Sequence, residues 1–92
     1  MDSKRILVLG RRDHSEAMRV AAGLTIFGHE VRLVFMTEPV ADTDANAEQA
    51  ELLELSDITP ETTVAEMADD LTLLDAQALG EEIVRADRVV NL

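Results

Sequence analysis

Apolar and polar positions fall into blocks along this chain, and the blocks carry two different periods. Ile6-Leu7-Val8-Leu9 is an unbroken apolar run, and Val31 to Met36, apart from Arg32, form a second apolar run. A run without alternation suits a strand covered on both faces, as in parallel sheets flanked by helices. Between the runs the spacing is helical: Ala17, Met18, Ala21, Ala22, Leu24 and Thr25 make one stripe, with Arg19 facing away from it. Asp13 is placed to cap this helix. Glu16, three residues on, can reach back to complete a capping box with Asp in place of Ser or Thr. Gly28 is placed to end the helix in a left-handed conformation, and Gly28-His29-Glu30 leads tightly into the second run. Connections this short are usual between helix and strand in α/β units. The first 36 residues therefore read as a complete β–α–β unit.

Beyond Met36 the pattern loosens. Thr37-Glu38-Pro39 breaks the strand, and residues 40–46 are polar. Thr43 or Asp44 can cap a second helix to about Leu55, with Ala47, Ala50, Leu52, Leu53 and Leu55 as an imperfect stripe. Residues 61–70 admit two readings. Thr62-Thr63-Val64 has strand propensity, but Pro60-Glu61 before Ala65-Glu66-Met67-Ala68 favours a short helix, and the helix is the expectation. Residues 71–74 suit a short strand. Asp75 then caps a third helix through Leu79, Ile83 and Ala86, with Ile83 on its buried face four residues after Leu79, and residues 87–92 form a last strand. Glu81-Glu82 and Asp69-Asp70 are adjacent pairs that read as solvated faces. This order predicts an α/β fold, a three-layer α/β/α sandwich on a mostly parallel sheet of four to five strands.

Ninety-two residues make one domain, spanning 1–92, with no room for a second core. The only aromatics are Phe27 and Phe35, so the core is mainly aliphatic. No stretch approaches the roughly 18–20 apolar residues that cross a bilayer. Met1-Asp2-Ser3-Lys4-Arg5 is too short and too acidic for a signal sequence, so a cytoplasmic location is expected. The absence of cysteine excludes disulfides, thiolate zinc sites and cysteine nucleophiles or persulfide carriers. His14 and His29 flank a whole helix, which sets them at opposite ends, so no metal site is expected. The net charge of −11 is uneven: residues 38–84 hold fourteen acidic side chains and no Lys or Arg. Such a surface repels phosphate backbones and anionic lipids, which argues against nucleic-acid or membrane partners. It serves either as a solvated face that keeps the protein soluble or as a dock for a basic partner.

In an open parallel sheet, ligands bind beyond the carboxyl ends of the strands. That edge is expected to hold Gly10, Arg11, Arg12, His14 and Ser15 after the first strand, and Thr37 and Glu38 after the second. Arg11, Arg12, His14, Ser15 and Thr37, with the N–H groups of a helix start, compose a candidate site for a small anion or phosphometabolite. Against this, the two arginines can simply pair with the surplus carboxylates. The loop lacks the later glycines of a dinucleotide fingerprint and the Gly-Lys-Ser/Thr of a Walker loop. Ser15 and His14 are helix neighbours that do not face each other, so they form no hydrolytic dyad. His29, after a helix end, reads as structural. No catalytic residue and no cofactor can be named.

The stretch Glu16-Ala17-Met18-Arg19-Val20-Ala21-Ala22-Gly23-Leu24, followed by Gly28-His29-Glu30-Val31-Arg32-Leu33-Val34-Phe35, resembles the DsrE/DsrF-like family, which includes sulfur-relay subunits of the TusBCD type. The ending, Leu79 through Ile83-Val84-Arg85-Ala86-Asp87-Arg88-Val89-Val90, shares the likeness. The resemblance implies a compact α/β/α domain that assembles into homo- or hetero-oligomers, commonly trimers and hexamers. Active members carry persulfide sulfur on a mid-chain cysteine that this chain lacks, and no family catalytic residue maps onto it. The resemblance thus implies a non-catalytic relative, a structural or interaction partner in intracellular sulfur transfer. Self-association is expected on physical grounds too, with Ile26, Phe27, Phe35, Met36 and Val40 as a partly exposed apolar patch.

Overall fold

The computed structural model describes residues 3–92; Met1 and Asp2, part of the segment read as unlike a signal sequence, lie outside them. Among the described residues, one five-stranded sheet is built from β1 (Arg5–Gly10), β2 (Glu30–Phe35), β3 (Glu61–Thr62), β4 (Thr72–Leu73) and β5 (Arg88–Asn91). The strand order is β4-β3-β2-β1-β5, and every pairing is parallel. The helices are α1 (His14–Ile26), α2 (Asp44–Leu55) and α3 (Ala76–Arg85), with a 3-10 turn at Ala65–Met67. The expected three-layer α/β/α sandwich is present.

Layer assignment follows from the direction of the crossovers. From β1 to β3 the chain steps one way along the sheet, and α1 and α2 lie on one face. After β4 it steps back past β1, which puts α3 on the other. Ile6, Val8, Leu33 and Phe35 face α1 and α2, where Ala17, Met18, Ala21, Ala22, Leu53 and Ile58 complete the main core. The alternate residues Leu7, Leu9 and Val34 face α3 and meet only the half-buried Met36, Leu74, Leu79 and Ala86. A single ten-residue helix is all that packs on this face, so the second core is thin.

Local signals explain most element ends. The Asp13 side chain accepts from the Glu16 N–H at 3.0 Å and caps α1. Glu16 does not reach back to complete a capping box; its carboxylate takes the Arg19 guanidinium instead, on the exposed side of the helix. Thr43 caps α2 through the Asn46 N–H, and Asp75 caps α3 through the Ala78 N–H. Gly28 has φ +89°, the left-handed value expected of a glycine that closes a helix. His29 Nδ1 accepts from the Lys4 N–H at 3.3 Å and ties the entry of β1 to the turn before β2.

Three expectations change. Residues 61–70 are not a helix but a short strand, β3, followed by the 3-10 turn. The cause is Thr62, fully buried, whose hydroxyl donates to the Phe35 carbonyl at 2.9 Å and accepts from the Val64 N–H at 2.9 Å. On α3, Ile83 is 43% exposed and the buried residue is Glu82, at 8% exposure. Of the five residues expected as a partly exposed apolar patch, Ile26 and Phe27 are exposed and Met36 and Val40 half-buried, and only Phe35, which belongs to the core, departs.

Candidate functional site

At the carboxyl edge of the sheet, packing is close. A Cβ on Gly10 would lie 3.1 Å from Ala17 Cβ and 3.2 Å from Phe35 Cδ1, so any larger residue would have to push α1 or the Phe35 ring back by a few tenths of an ångström. His14 is buried; its ring meets the Phe35 ring edge-on at 5.4 Å, and Nε2 lies 3.3 Å from the Met36 carbonyl. It therefore pins the start of α1 to the exit of β2. Thr37, in that exit turn, is exposed and holds φ 80°, a left-handed conformation uncommon for a β-branched residue. Arg11 and Arg12 are exposed, and neither forms an ion pair with a carboxylate among the described residues. Ser15 is half-buried in the first turn of α1.

The backbone donors at this edge are partly taken. The Arg12 and Asp13 N–H groups both donate to the Leu92 main-chain oxygen, at 3.2 and 2.8 Å, while the Leu92 N–H donates to the Leu9 carbonyl at 2.9 Å. The loop after β1 is thereby bound to the end of β5, and two donors that would face an anion are occupied. The structure brings Arg11, Arg12, His14, Ser15 and Thr37 to one edge, as expected, but His14 and two of the backbone amides have structural partners.

A second cluster lies at the opposite end of the sheet, on the α3 face. Arg5, Ile6, Leu7, Glu30, Arg32, Glu82, Arg85 and Ala86 line an open cavity of about 390 Å³ between the starts of β1 and β2 and the last turns of α3. Parallel strands place Arg5, Glu30 and Arg32 here, because residues alternate faces and these share one with Leu7 and Val34. The register also sets Glu61 beside Val34, on the same face. Arg32 Nη2 and Nε donate to Glu61 Oε1 at 2.9 and 3.1 Å, and Nη2 lies 2.6 Å from Glu82 Oε1. One guanidinium therefore serves two carboxylates, both largely removed from water. Glu82 Oε2 is buried and finds no hydrogen-bond partner among the described residues. Burial first, and then the negative charge of Glu61, push the Glu82 carboxyl above the ordinary glutamate range; Arg32 pulls the other way and offsets this only in part.

At the rim, Arg5 lies 3.5 Å from Glu30, and Arg85 is exposed with no ion pair among the described residues. Arg85 sits in the final turn of α3, where the helix dipole favours a cation. Sequence reasoning did not find this cluster. Glu82 beside Glu81 reads as a solvated pair, and nothing local announces that Arg32 and Glu61 converge on it. The one available signal is the strand position of Arg32, a charge inside an otherwise apolar run. No family model, no curated protein and no solved structure matches the chain.

Proposed function

We propose that the protein is a non-catalytic assembly domain that self-associates through the α3 face of its sheet. The carrying observation is the thin cover of that face: a single helix serves a five-stranded sheet, with Val84 85% exposed, Ile83 43% and Val89 39%. Exposed aliphatic side chains over a half-covered sheet are what an interface on a small domain looks like. A second copy is the occupant best matched to the charge. Most of the acidic surplus lies in residues 38–75, whereas the end of α3 and β5 bring Arg85 and Arg88 against Asp87, so the contact is centred on Val84 and Val89 beside these arginines and away from most of the carboxylates. The likeness to DsrE/DsrF-like subunits implies homo-oligomers such as trimers or hexamers, and a cytoplasmic role beside a sulfur-relay protein. Sedimentation of wild type, Val84→Asp and Phe27→Asp tests the reading. The expected result is an oligomer for wild type and Phe27→Asp and a monomer for Val84→Asp. A wild type that stays monomeric at tens of micromolar defeats it.

A second reading, a small-anion site after β1, is favoured by one observation: Arg11 and Arg12 have no carboxylate partners among the described residues, in a chain of −11 net charge. With the Arg12 and Asp13 amides bound to Leu92, this site would rest on the two side chains, Ser15 and what is left of the helix start. Inorganic phosphate should then raise the melting temperature of wild type and not of the Arg11→Ala/Arg12→Ala double variant. An equal response from both removes the reading.

A further inference from the structure

We infer that the cavity between the last turns of α3 and the starts of β1 and β2 binds a small zwitterion, whose ammonium donates to Glu82 Oε2 and whose carboxylate accepts from Arg85 and Arg5. The inference goes beyond the assembly reading and does not need it.

Glu82 holds an unmet acceptor. Glu82 is 8% exposed and lines the cavity, and its Oε2 has no partner among the described residues. A buried carboxylate oxygen left without a donor is costly, more so than a neutral group, because the charge has also lost its water. With Glu82 ionised, Arg32, Glu61 and Glu82 together carry one positive and two negative charges, so the cluster lacks one cation and one donor, which a proton between Glu82 and Glu61 supplies at lower pH. A ligand ammonium supplies both.

The rim holds the donors. Arg85 follows Glu82 by three residues, which places them as neighbours on one face of α3. Arg5 closes the other side from the start of β1, held only loosely by Glu30. Guanidiniums of this kind are forks for a carboxylate. Glu82, Arg85 and Arg5 thus all line one cavity of about 390 Å³, within the range of small-molecule sites, and a small turn of the Glu82 carboxylate brings Oε2 to it.

Other ligand classes fit less well. A simple anion meets the arginines but offers no donor to Oε2 and is repelled by Glu30, Glu61 and Glu82. A simple amine satisfies Oε2 but sits among three guanidiniums. A hard metal ion needs several oxygen ligands, and among the described residues no three His, Asp or Glu side chains gather as a metal-binding set. A molecule with both charges at short separation answers each group.

The test is an amide NMR titration at mildly alkaline pH with glycine, β-alanine and γ-aminobutyrate, which separate the two charges progressively. Ethylammonium and propionate serve as half-ligands. At least one zwitterion should give saturable shifts around Arg5, Arg32 and Arg85, in wild type and in the assembly variant Val84→Asp alike. Glu82→Gln and Arg85→Ala should each weaken binding by about tenfold or more. Arg85→Ala, a surface change, decides the matter should Glu82→Gln fail to fold. No saturable shift with any zwitterion overturns the inference. So does a half-ligand that binds as tightly as the best zwitterion, or affinity that both variants leave unchanged.

Discussion

The carboxyl group at position 82 is held among Arg32, Glu61 and Arg85, with Arg5 and Glu30 across the cavity. Burial and the Glu61 charge raise its pKa, so the folded chain holds this proton more tightly than the unfolded chain does. The linked stability is fully present below the ordinary glutamate pKa and is lost as pH rises through the raised value. Glu82→Gln has no such proton to lose. Its stability relative to wild type should therefore climb across that pH window, by an amount on the order of 1 kcal/mol per unit of displacement. Urea unfolding of both proteins over a pH series measures this, and a difference that stays constant with pH contradicts it. Glu82 also marks the limit of residue-level reading. A glutamate on a helix is ordinarily solvated, and here only Arg32, brought over it by the sheet register, makes its burial tolerable. By contrast, Asp13, Thr43, Asp75 and Gly28 were legible because each acts on its own backbone within a few residues.

At the scale of elements, the apolar runs of β1 and β2 and the alanine stripe of α1 announced themselves, since a strand buried on both faces and a helix lying close to it each leave a local pattern. The segment 61–64 did not. Its two residues of strand are decided by the Thr62 hydroxyl, which reaches back to the Phe35 carbonyl, 27 positions earlier, and holds the Val64 amide. Propensity weighs neither bond. Thr62→Val keeps the shape and removes both, leaving the part-buried Val64 N–H without its acceptor, while the Phe35 carbonyl keeps the Thr63 N–H at 3.0 Å. A loss of about 1–3 kcal/mol is expected in chemical denaturation, with the 3-10 turn loosened most in amide exchange. A loss below about half a kcal/mol would show that β-branching alone, retained in valine, sets the strand. The misplacement of α3 by one residue, Glu82 in for Ile83, has a related origin. On the thin side of the sheet a helix is oriented by an ion pair as much as by apolar contact, so the apolar stripe is a poor guide there.

For the molecule as a whole, charge and exposed apolar surface pull against each other. Each added copy brings eleven further net negative charges, while burial of Ile83, Val84 and Val89 favours association. A standard interface of about 800 Å² per partner has to outweigh that repulsion. Salt shortens the Debye length from about 10 Å at 0.1 M to about 3 Å at 1 M, so association should tighten as salt rises. Light scattering over a salt series should record growing mass for wild type and a constant monomer for Val84→Asp; dissociation on adding salt would point to a charge-driven contact instead. The layered architecture on which this rests was readable from the order of elements, whereas the uneven cover of its two faces was not, because it depends on strand order. That same order has a consequence in time. The strand β1 lies between β2 and β5, and its partner residues Arg5 and Asp87 are 82 positions apart. A ribosome adding about 5–20 residues per second leaves one edge of this apolar strand open for several seconds before β5 emerges. Newborn chains pass that interval with an unpaired β1 edge, which makes the protein's yield in the cell sensitive to the speed of translation and to whatever shelters that edge meanwhile.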